Sequence, residues 1–442
     1  MNAKFKTVAL SAVMMAGLLA AGAASAQANI VVGGGATLPE ILYDDILPSG
    51  VGKTDFSYSG TGSGIGKSAF LSNVVPRSGT ATSLKTNYYN ESQGSDNLSF
   101  LWPVTQSVHF AGSDSALSAT ERDTYNTAHV GKPATDPAAW GRLIQIPAVA
   151  TSVLLPYKRT GVTALDLTDA KVCAVFSNKP LIVSSPPSLQ PNLTWEQLLG
   201  TATPTNPGTN LVRVVYRTDT SGTTELLSRY LAAACSGSGF AVSNAFTTVV
   251  SGAVTGGTIP SHWVGVTGSS GVSSAFGTDG RIGYLSPETN YTGSDNSVVA
   301  KINGNLPAAS AIRTVLAGTA LPTAGLTAPE LTAAMNPLNW VPAYAKPATG
   351  YPIFGTTNLL VNQCYKDTVV QGKIKTFLAG LYGTTYDTKI ETTHNFVNLP
   401  ATGTTTTNWK KAINDVFLSG THPLAIGNTN VCNGIGRPVA AN

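Results

Sequence analysis

The sequence predicts an α/β protein of two lobes built on mixed, largely parallel sheets, and three observations carry that expectation. Short β-rich runs such as VVYR (214–217), TSVLLPY (151–157) and NLLVNQCY (358–365) alternate with helical stretches such as SAFLSNVV (68–75), TTELLSRYLAAAC (223–235) and TNWKKAINDVFL (407–418). Strands alternating with helices are the pattern of sheets that bury both faces under helices. Within 223–235, Leu226, Leu227, Tyr230 and Leu231 fall on one stripe, the spacing of a helix laid against a core. The chain has 442 residues, more than one hydrophobic core ordinarily serves, so two lobes are expected.

The first 26 residues set the compartment. Lys4 and Lys6 precede the apolar run Val8 to Ala24, and Ala24-Ser25-Ala26 is a small-x-small cleavage site, the layout of a secretory signal peptide. The mature chain is expected to start near Gln27, periplasmic or secreted. No Cys lies near the cleavage site and no later apolar run is long enough to span a bilayer, so no membrane anchor is expected. Without Lys4 and Lys6, the 27 basic residues become 25 against 23 acidic ones, a net charge near +2. Charged residues make up 11% of the chain, against roughly 25% in ordinary globular proteins, so Ser, Thr, Asn and Gly must cover much of the surface. No dense basic run interleaved with aromatics occurs, which excludes nucleic acid as a partner. Residues 184–194 and 200–210 have the Pro, Ser and Thr density of loop insertions, and 403–408 is a polar connector.

Four cysteines, Cys173, Cys235, Cys364 and Cys432, enter an oxidising compartment, and three pairings are open to them. Nearest-neighbour pairing, 173 with 235 and 364 with 432, keeps each bridge within one half of the chain. Each bridge would close a loop of some sixty residues, a constraint of roughly 4 kcal/mol in the chain-entropy model. No Cys-x-x-Cys or His-Cys cluster is present and the five histidines are scattered. No metal or other cofactor is therefore expected.

Three glycine-rich turns each run into a helix. GGGATLPEILYDDI (33–46) places Thr37 and Leu38 after the glycines, Pro39 at the first helical position and Glu40 in the first turn. SGTGSGIGKSAF (59–70) resembles a phosphate-binding P-loop, but that loop needs Gly, four residues, then Gly-Lys-Ser/Thr. Five positions before Gly66 stands Thr61, so the spacing fails and no nucleotide is implied. YRTDTSGTTELLSRYL (216–231) is the third: a strand, then Ser221-Gly222-Thr223, then the amphipathic helix. The first N–H groups of a helix are unpaired and its dipole is positive there, so each turn is a ready anion cradle. Arg217, four residues before Ser221, can reach the same oxyanion with its two-pronged guanidinium, and Asp219 can orient it.

A fourth segment, SVHFAGSDSALSATE (107–121), supplies a carboxylate. The plain local expectation is that Asp114 caps a helix whose first turn holds Ser115. The alternative is that Asp114 accepts a hydrogen bond from a protonated oxyanion. Hydrogen phosphate has a proton to give near neutral pH and sulfate has none, so an ionised carboxylate pairs with the first and repels the second.

GGGATLP, GSGIGKSAFL, VHFAGSDS, VVYRTDTSGTTEL and IGNTNVCNGIGRP together closely resemble the DING proteins, a branch of the periplasmic, PstS-type phosphate receptors. The match recurs from residue 29 to 439, more loosely near 180–210 and 288–345. The eponymous Asp-Ile-Asn-Gly start is replaced by Asn29-Ile30-Val31-Val32-Gly33. The resemblance implies a class II periplasmic binding-protein fold whose lobes close over phosphate about a hinge of two crossover strands, near 144–155 and 350–360. Lobe I would comprise 27–145 and 351–442, and lobe II 146–350, with one disulfide in each. By motif, the phosphate ligands would be Thr37, Leu38 and Ser63 from one lobe and Arg217, Ser221, Gly222 and Thr223 from the other. Asp114 would be the acceptor, with Asp219 behind Arg217 and Ser63 rather than Lys67 the ligand of the second turn.

Three functions compete. The first is an exported, monomeric, high-affinity receptor for inorganic phosphate, with arsenate as an analogue and an ABC permease as partner. The second is a secreted DING-like alkaline phosphatase. The tripeptide Asp114-Ser115-Ala116 spells an alkaline-phosphatase-like nucleophile, yet the His/Asp clusters that hold that enzyme's metals are missing. The third is an extracellular adhesive or interaction protein. The absent metal ligands favour the receptor, with no catalytic residues.

Overall fold

The computed structural model describes residues 30–47, 55–74, 107–181, 192–201, 210–287 and 295–441. The signal region 1–26, most of 184–194 and most of 200–210 lie outside the described residues. In chain order the strands are β1 (Val31–Gly35), β2 (Phe56–Ser57), β3 (Phe110–Ser113), β4 (Leu143–Ser152), β5 (Tyr157–Lys158), β6 (Asp166–Leu167), β7 (Arg213–Arg217), β8 (Val264–Val266), β9 (Arg281–Gly283), β10 (Lys301–Ile302) and β11 (Phe354–Asn362). The first sheet runs β2-β1-β3-β11-β4 and the second β5-β9-β7-β8, while β6 and β10 form a separate ladder. β1 is parallel to β2 and β3, and β7 to β8 and β9; β11 is antiparallel to β3 and β4, and β5 to β9.

Both sheets are covered on both faces, and the two-residue period of a strand shows it. Val31, Phe110, Ile144, Leu359 and Val361 enter one core cluster, while their neighbours Val32, Ala111, Leu143 and Leu360 enter another on the opposite face. In the second sheet Val214 and Tyr284 face one cluster and Val215 and Leu285 the other. This is why β1, β4 and β11 are buried along their whole length.

The chain passes between the sheets beside β4 and β11, the crossovers expected near 144–155 and 350–360. Phe354 lies in the first core while Val153, Tyr351 and Ile353 lie in the second. The Val153 N–H donates to the Ile353 carbonyl at 2.8 Å and the Tyr351 hydroxyl to the Val153 carbonyl at 2.7 Å.

Part of the segment expected for lobe II, 146–350, packs against the first core. Helices Ala309–Ala317 and Ala328–Met335 and the short 3-10 turn Pro337–Trp340 carry Ile312, Leu316, Ala334 and Trp340 into the first core, with Leu321 from the loop between the helices. The Leu321 N–H donates to the Thr406 carbonyl at 3.0 Å and the Trp409 indole to the Thr319 carbonyl at 2.8 Å. Two further passages, between Ile302 and Ile312 and between Trp340 and Tyr351, therefore accompany the expected pair of crossovers. The physical reason is burial: these helices bear apolar faces that the first core covers.

The disulfides join Cys173 to Cys235 and Cys364 to Cys432, with Cα atoms 5.7 and 5.3 Å apart. The nearest-neighbour pairing is the one observed, and no cysteine is free.

Candidate functional site

Strand register brings the separate turns together. Gly35 at the end of β1 pairs with Gly112 of β3 on one side and bridges Gly60 on the other, all parallel. The turns that follow these three strands therefore emerge side by side at the carboxyl edge of one sheet, where open α/β sheets bind ligands. Side chains would keep them apart: a Cβ on Gly66 would lie 2.7 Å from the Gly34 carbonyl. The Gly62 N–H donates to the Gly35 carbonyl at 2.6 Å, and Gly62 adopts φ +92°, a conformation that L side chains rarely take. Gly62 thereby turns the chain into the Ser63–Ser72 helix.

In the first turn, the Tyr58 hydroxyl donates to the Ala36 carbonyl at 2.7 Å and the Ala36 N–H to the Gly112 carbonyl at 2.9 Å. Thr37 follows, half-buried, and Leu38 is fully buried in the first core. The helix begins at Glu40, so Pro39 is its cap rather than its first residue; its carbonyl accepts from the Tyr43 N–H at 2.8 Å.

Ser63 is buried and its hydroxyl accepts the Asp114 N–H at 3.1 Å. Lys67 is engaged elsewhere, with its ammonium 3.1 Å from Glu121 and 3.3 Å from the Ala116 carbonyl. Asp114 is not a helix cap. The next helix, Ala119–His129, starts five residues later behind a Ser118–Glu121 capping box. The spacing Ser-x-x-Glu at 118–121 was the signal for that start.

The second sheet contributes Arg217, the last residue of β7, which is 3% exposed. Its Nε donates to Asp219 Oδ1 at 2.7 Å and its Nη2 to Asp219 Oδ2, so Asp219 orients the guanidinium through one edge of its fork. Burial alone would raise the Asp219 carboxyl, but Arg217 and the Gly268 N–H (3.1 Å) hold it below its usual value. Val266 of β8 is in register with Arg217, which places the turn at 267–269 beside Asp219. Ser221 caps the Gly222–Ala234 helix through the Thr224 N–H, and its own N–H donates to the Asn244 carbonyl at 2.9 Å. Thr223 is buried and its hydroxyl has no hydrogen-bond partner among the described residues.

The two lobes meet at Gly222. A Cβ there would lie 2.6 Å from Ser63 Oγ and 2.8 Å from Asp114 Cα, so Ser63, Asp114 and Gly222 converge although three separate segments carry them. Two more contacts seal the edge: Thr37 and Ser269 hydroxyls are 3.2 Å apart, and Thr220 sits against Gly62 and Gly64. Asp114 is 4% exposed, and its Oδ1 has no hydrogen-bond partner among the described residues. Burial pushes its pKa up to about 7, with Glu225 adding to the rise and the Thr357 hydroxyl, Arg217 and Ser63 opposing it. Thr357, at a bulge in β11, and Glu225 were not singled out in the sequence, since neither carries a local motif that points at Asp114.

Ser115 of the phosphatase-like tripeptide is fully buried. Among the described residues no group of three His, Cys, Asp or Glu could hold a metal ion. Histidines serve packing instead. His109 Nδ1 accepts the Val32 N–H at 2.9 Å, and burial with the nearby Arg437 lowers its pKa to about 3. His129 stacks on Trp140 with ring centres 3.6 Å apart.

Comparison with known proteins agrees with this architecture. Residues 20–382 match a family described as PBP superfamily domain. The chain is 41% identical over 431 residues to "Alkaline phosphatase L" of Pseudomonas aeruginosa, covering 96% of this chain and 98% of that one. Among solved structures, a high-affinity periplasmic phosphate-binding protein (PfluDING) with bound phosphate superposes with a TM-score of 0.71 at 36% identity, over 92% of this chain and 99% of that one. A phosphate-binding protein from Stenotrophomonas maltophilia superposes with a TM-score of 0.71 at 35% identity, again over 92% and 99%. Family match, near-full-length identity and shared fold lead to one conclusion: the chain belongs to the PBP superfamily, in its DING, PstS-type branch.

Proposed function

We propose that this protein is an exported receptor that traps inorganic phosphate between its lobes and carries out no chemistry on it. The observation that supports this reading most is the convergence of Ser63, Asp114 and Gly222 across the lobe boundary, with the Arg217–Asp219 pair on the same side as Gly222. In this reading the backbone N–H groups of Leu38, Ser63, Gly222 and Thr223, the hydroxyls of Thr37, Ser63, Ser221 and Thr223, and the Arg217 guanidinium donate to the anion. Asp114 accepts the single proton of hydrogen phosphate. Several charge-assisted bonds to a desolvated dianion are enough for micromolar affinity or better, about −8 kcal/mol or beyond. Arsenate, the same shape with the same proton, is the natural analogue. PfluDING is by its name a periplasmic phosphate-binding protein, which supports export of this chain behind its signal peptide; in this reading the chain works as a monomer and delivers its ligand to an ABC permease.

A second reading, phosphomonoester hydrolysis, is favoured by the name of the Pseudomonas relative. It lacks an activated nucleophile here, because Ser115 is buried and no histidine is bonded to it among the described residues. Calorimetric titration with phosphate, arsenate and sulfate, after stripping bound anion, tests the receptor. Tight binding of phosphate and arsenate but not sulfate is expected, with loss in Arg217→Ala. Turnover of a phosphomonoester that Arg217→Ala abolishes in folded protein would overturn the receptor-only reading.

A further inference from the structure

The second sheet ends unevenly beside the anion donors. β7 and β9 pair in parallel only as far as Val215 with Gly283. The Arg213 N–H donates toward β9, to the Gly280 carbonyl at 3.0 Å. N–H groups alternate sides along a strand, so the Arg217 N–H points the same way, past the end of the ladder. Tyr284, the residue after β9, takes over there: its hydroxyl accepts the Arg217 N–H at 3.1 Å. The same hydroxyl lies 2.7 Å from that of Thr224, and the Thr224 N–H donates to the Ser221 hydroxyl at 3.3 Å. One oxygen atom is thus bonded to both ends of the turn 218–221. The Tyr284 ring is 1% exposed. It stacks on Phe246 with centres 5.6 Å apart and meets Phe176 edge-on at 6.2 Å, so the hydroxyl is held in place. Burial pushes its pKa up to about 12, and it keeps its proton throughout the neutral range.

We propose that Tyr284 is a positioning residue of the anion site, its hydroxyl setting the distance between the Arg217 guanidinium and the donors at the start of the Gly222–Ala234 helix. The inference rests on the phosphate-receptor reading and deepens it. The oxygens of a tetrahedral anion have a fixed spacing, and hydrogen bonds weaken steeply beyond about 3.2 Å, so donors from a strand end and a helix start must be held at one separation. Asp219 fixes the direction of the guanidinium. The Val266 and Asn244 carbonyls tie the Thr218 and Ser221 N–H groups to neighbouring segments. Tyr284 adds the link from the main chain of Arg217 to the first turn of the helix. A tyrosine that only filled the core would have its hydroxyl satisfied too, but removing that hydroxyl would lower stability and leave affinity alone. Tyr230 is such a case: it is fully buried two turns along the same helix, and its hydroxyl donates to Asp169 Oδ1 at 2.7 Å.

Calorimetry at fixed pH and salt gives the phosphate dissociation constant, and thermal melting without anion gives the stability. Tyr284→Phe should weaken phosphate binding by about tenfold or more. Thr224→Val, which breaks the same link from its other end, should weaken it comparably. Thr224→Ser keeps the hydroxyl and should bind within about threefold of wild type. Both cuts sever one link, so the double variant should bind about as well as Tyr284→Phe alone, whereas independent effects would multiply. Tyr230→Phe, the control, should melt lower and bind phosphate as wild type does. Unchanged affinity in Tyr284→Phe and Thr224→Val, losses that multiply in the double variant, or an equal loss in Tyr230→Phe would overturn the proposal. Should Tyr284→Phe fail to fold, the contrast between Thr224→Val and Thr224→Ser decides: equal affinities in those two would overturn it. Wild type that fails to bind phosphate would overturn the receptor reading itself. Wild type that binds, with affinity lost in Arg217→Ala but not in Tyr284→Phe, would remove this inference alone.

Discussion

Gly222→Ala is the substitution that most directly tests whether the lobes close on the anion at this point. The new methyl would lie 2.6 Å from Ser63 Oγ and 2.8 Å from Asp114 Cα, while carbon contacts are comfortable only near 3.5–4.0 Å. The nearest obstructing atom is Asp114 Cβ at 2.3 Å, followed by Ser63 Oγ and Asp114 Cα, all at or one bond from the backbone rather than at the end of a long side chain, so the lobes must part by about 1 Å. Hydrogen bonds to the anion from opposite lobes cannot all survive that displacement, because they weaken steeply beyond about 3.2 Å. Losing two bonds to a charged ligand, at about 1.5–3 kcal/mol each, weakens phosphate binding by at least a hundredfold. The ligand-free protein should not suffer. Gly222 starts a helix and has no positive φ, so alanine costs the open form nothing and favours helix by up to about 1 kcal/mol. Calorimetry gives the affinity, and thermal melting without anion gives the stability. Phosphate affinity within threefold of wild type would mean that Gly222, Ser63 and Asp114 do not meet around the bound ligand.

Three further outcomes are expected. Asp114→Asn should leave phosphate affinity little changed but cut discrimination against sulfate by at least tenfold, about 1.4 kcal/mol; an unchanged ratio of the two dissociation constants would remove Asp114 from the site. Without anion, closure should become less favourable as pH rises from about 4 to 7, because a carboxyl held near 7 in the closed cleft and near 3.8 when exposed binds more protons when closed. The ceiling on that loss is about 4 kcal/mol, so ligand-free wild type should become more open across that range by small-angle scattering and Asp114→Asn should not; an equal response in both proteins would place the titration elsewhere. Lys67→Gln should change phosphate affinity by less than about threefold, since its ammonium is bonded to Glu121 and Ala116; a larger loss would revive the P-loop alternative.

What the sequence made legible depended on whether the information was local. The Arg217–Asp219 pair is two residues apart, and Ser221-Gly222-Thr223 is a cap and two helical positions in a row, so one short window contains each. The capping box at Ser118–Glu121 was equally local, and overlooking it made Asp114 look like a cap. Thr357 and Ser269 could not be found this way. Thr357 is aimed by a bulge between Thr357 and Asn358, and Ser269 approaches Thr37 only because β8 lies beside β7. The helices at 309–317 and 328–335 show the same limit on a larger scale: a helical period says that a face is buried, not which core buries it.

The link between those scales is the row Gly60, Gly35, Gly112 across three parallel strands. Each glycine taken alone is an ordinary turn signal. In register they set three turns edge to edge, and because parallel strands end on the same side, all three turns open in one direction. The second sheet repeats the device with Arg217 beside Val266. In the proposed receptor neither edge surrounds the anion by itself: the first would supply Ser63 and Asp114, the second Arg217 and the Gly222 helix start. Affinity would then belong to the closed pair and not to either lobe, and the residue that limits how closely the edges approach, Gly222, has no side chain at all.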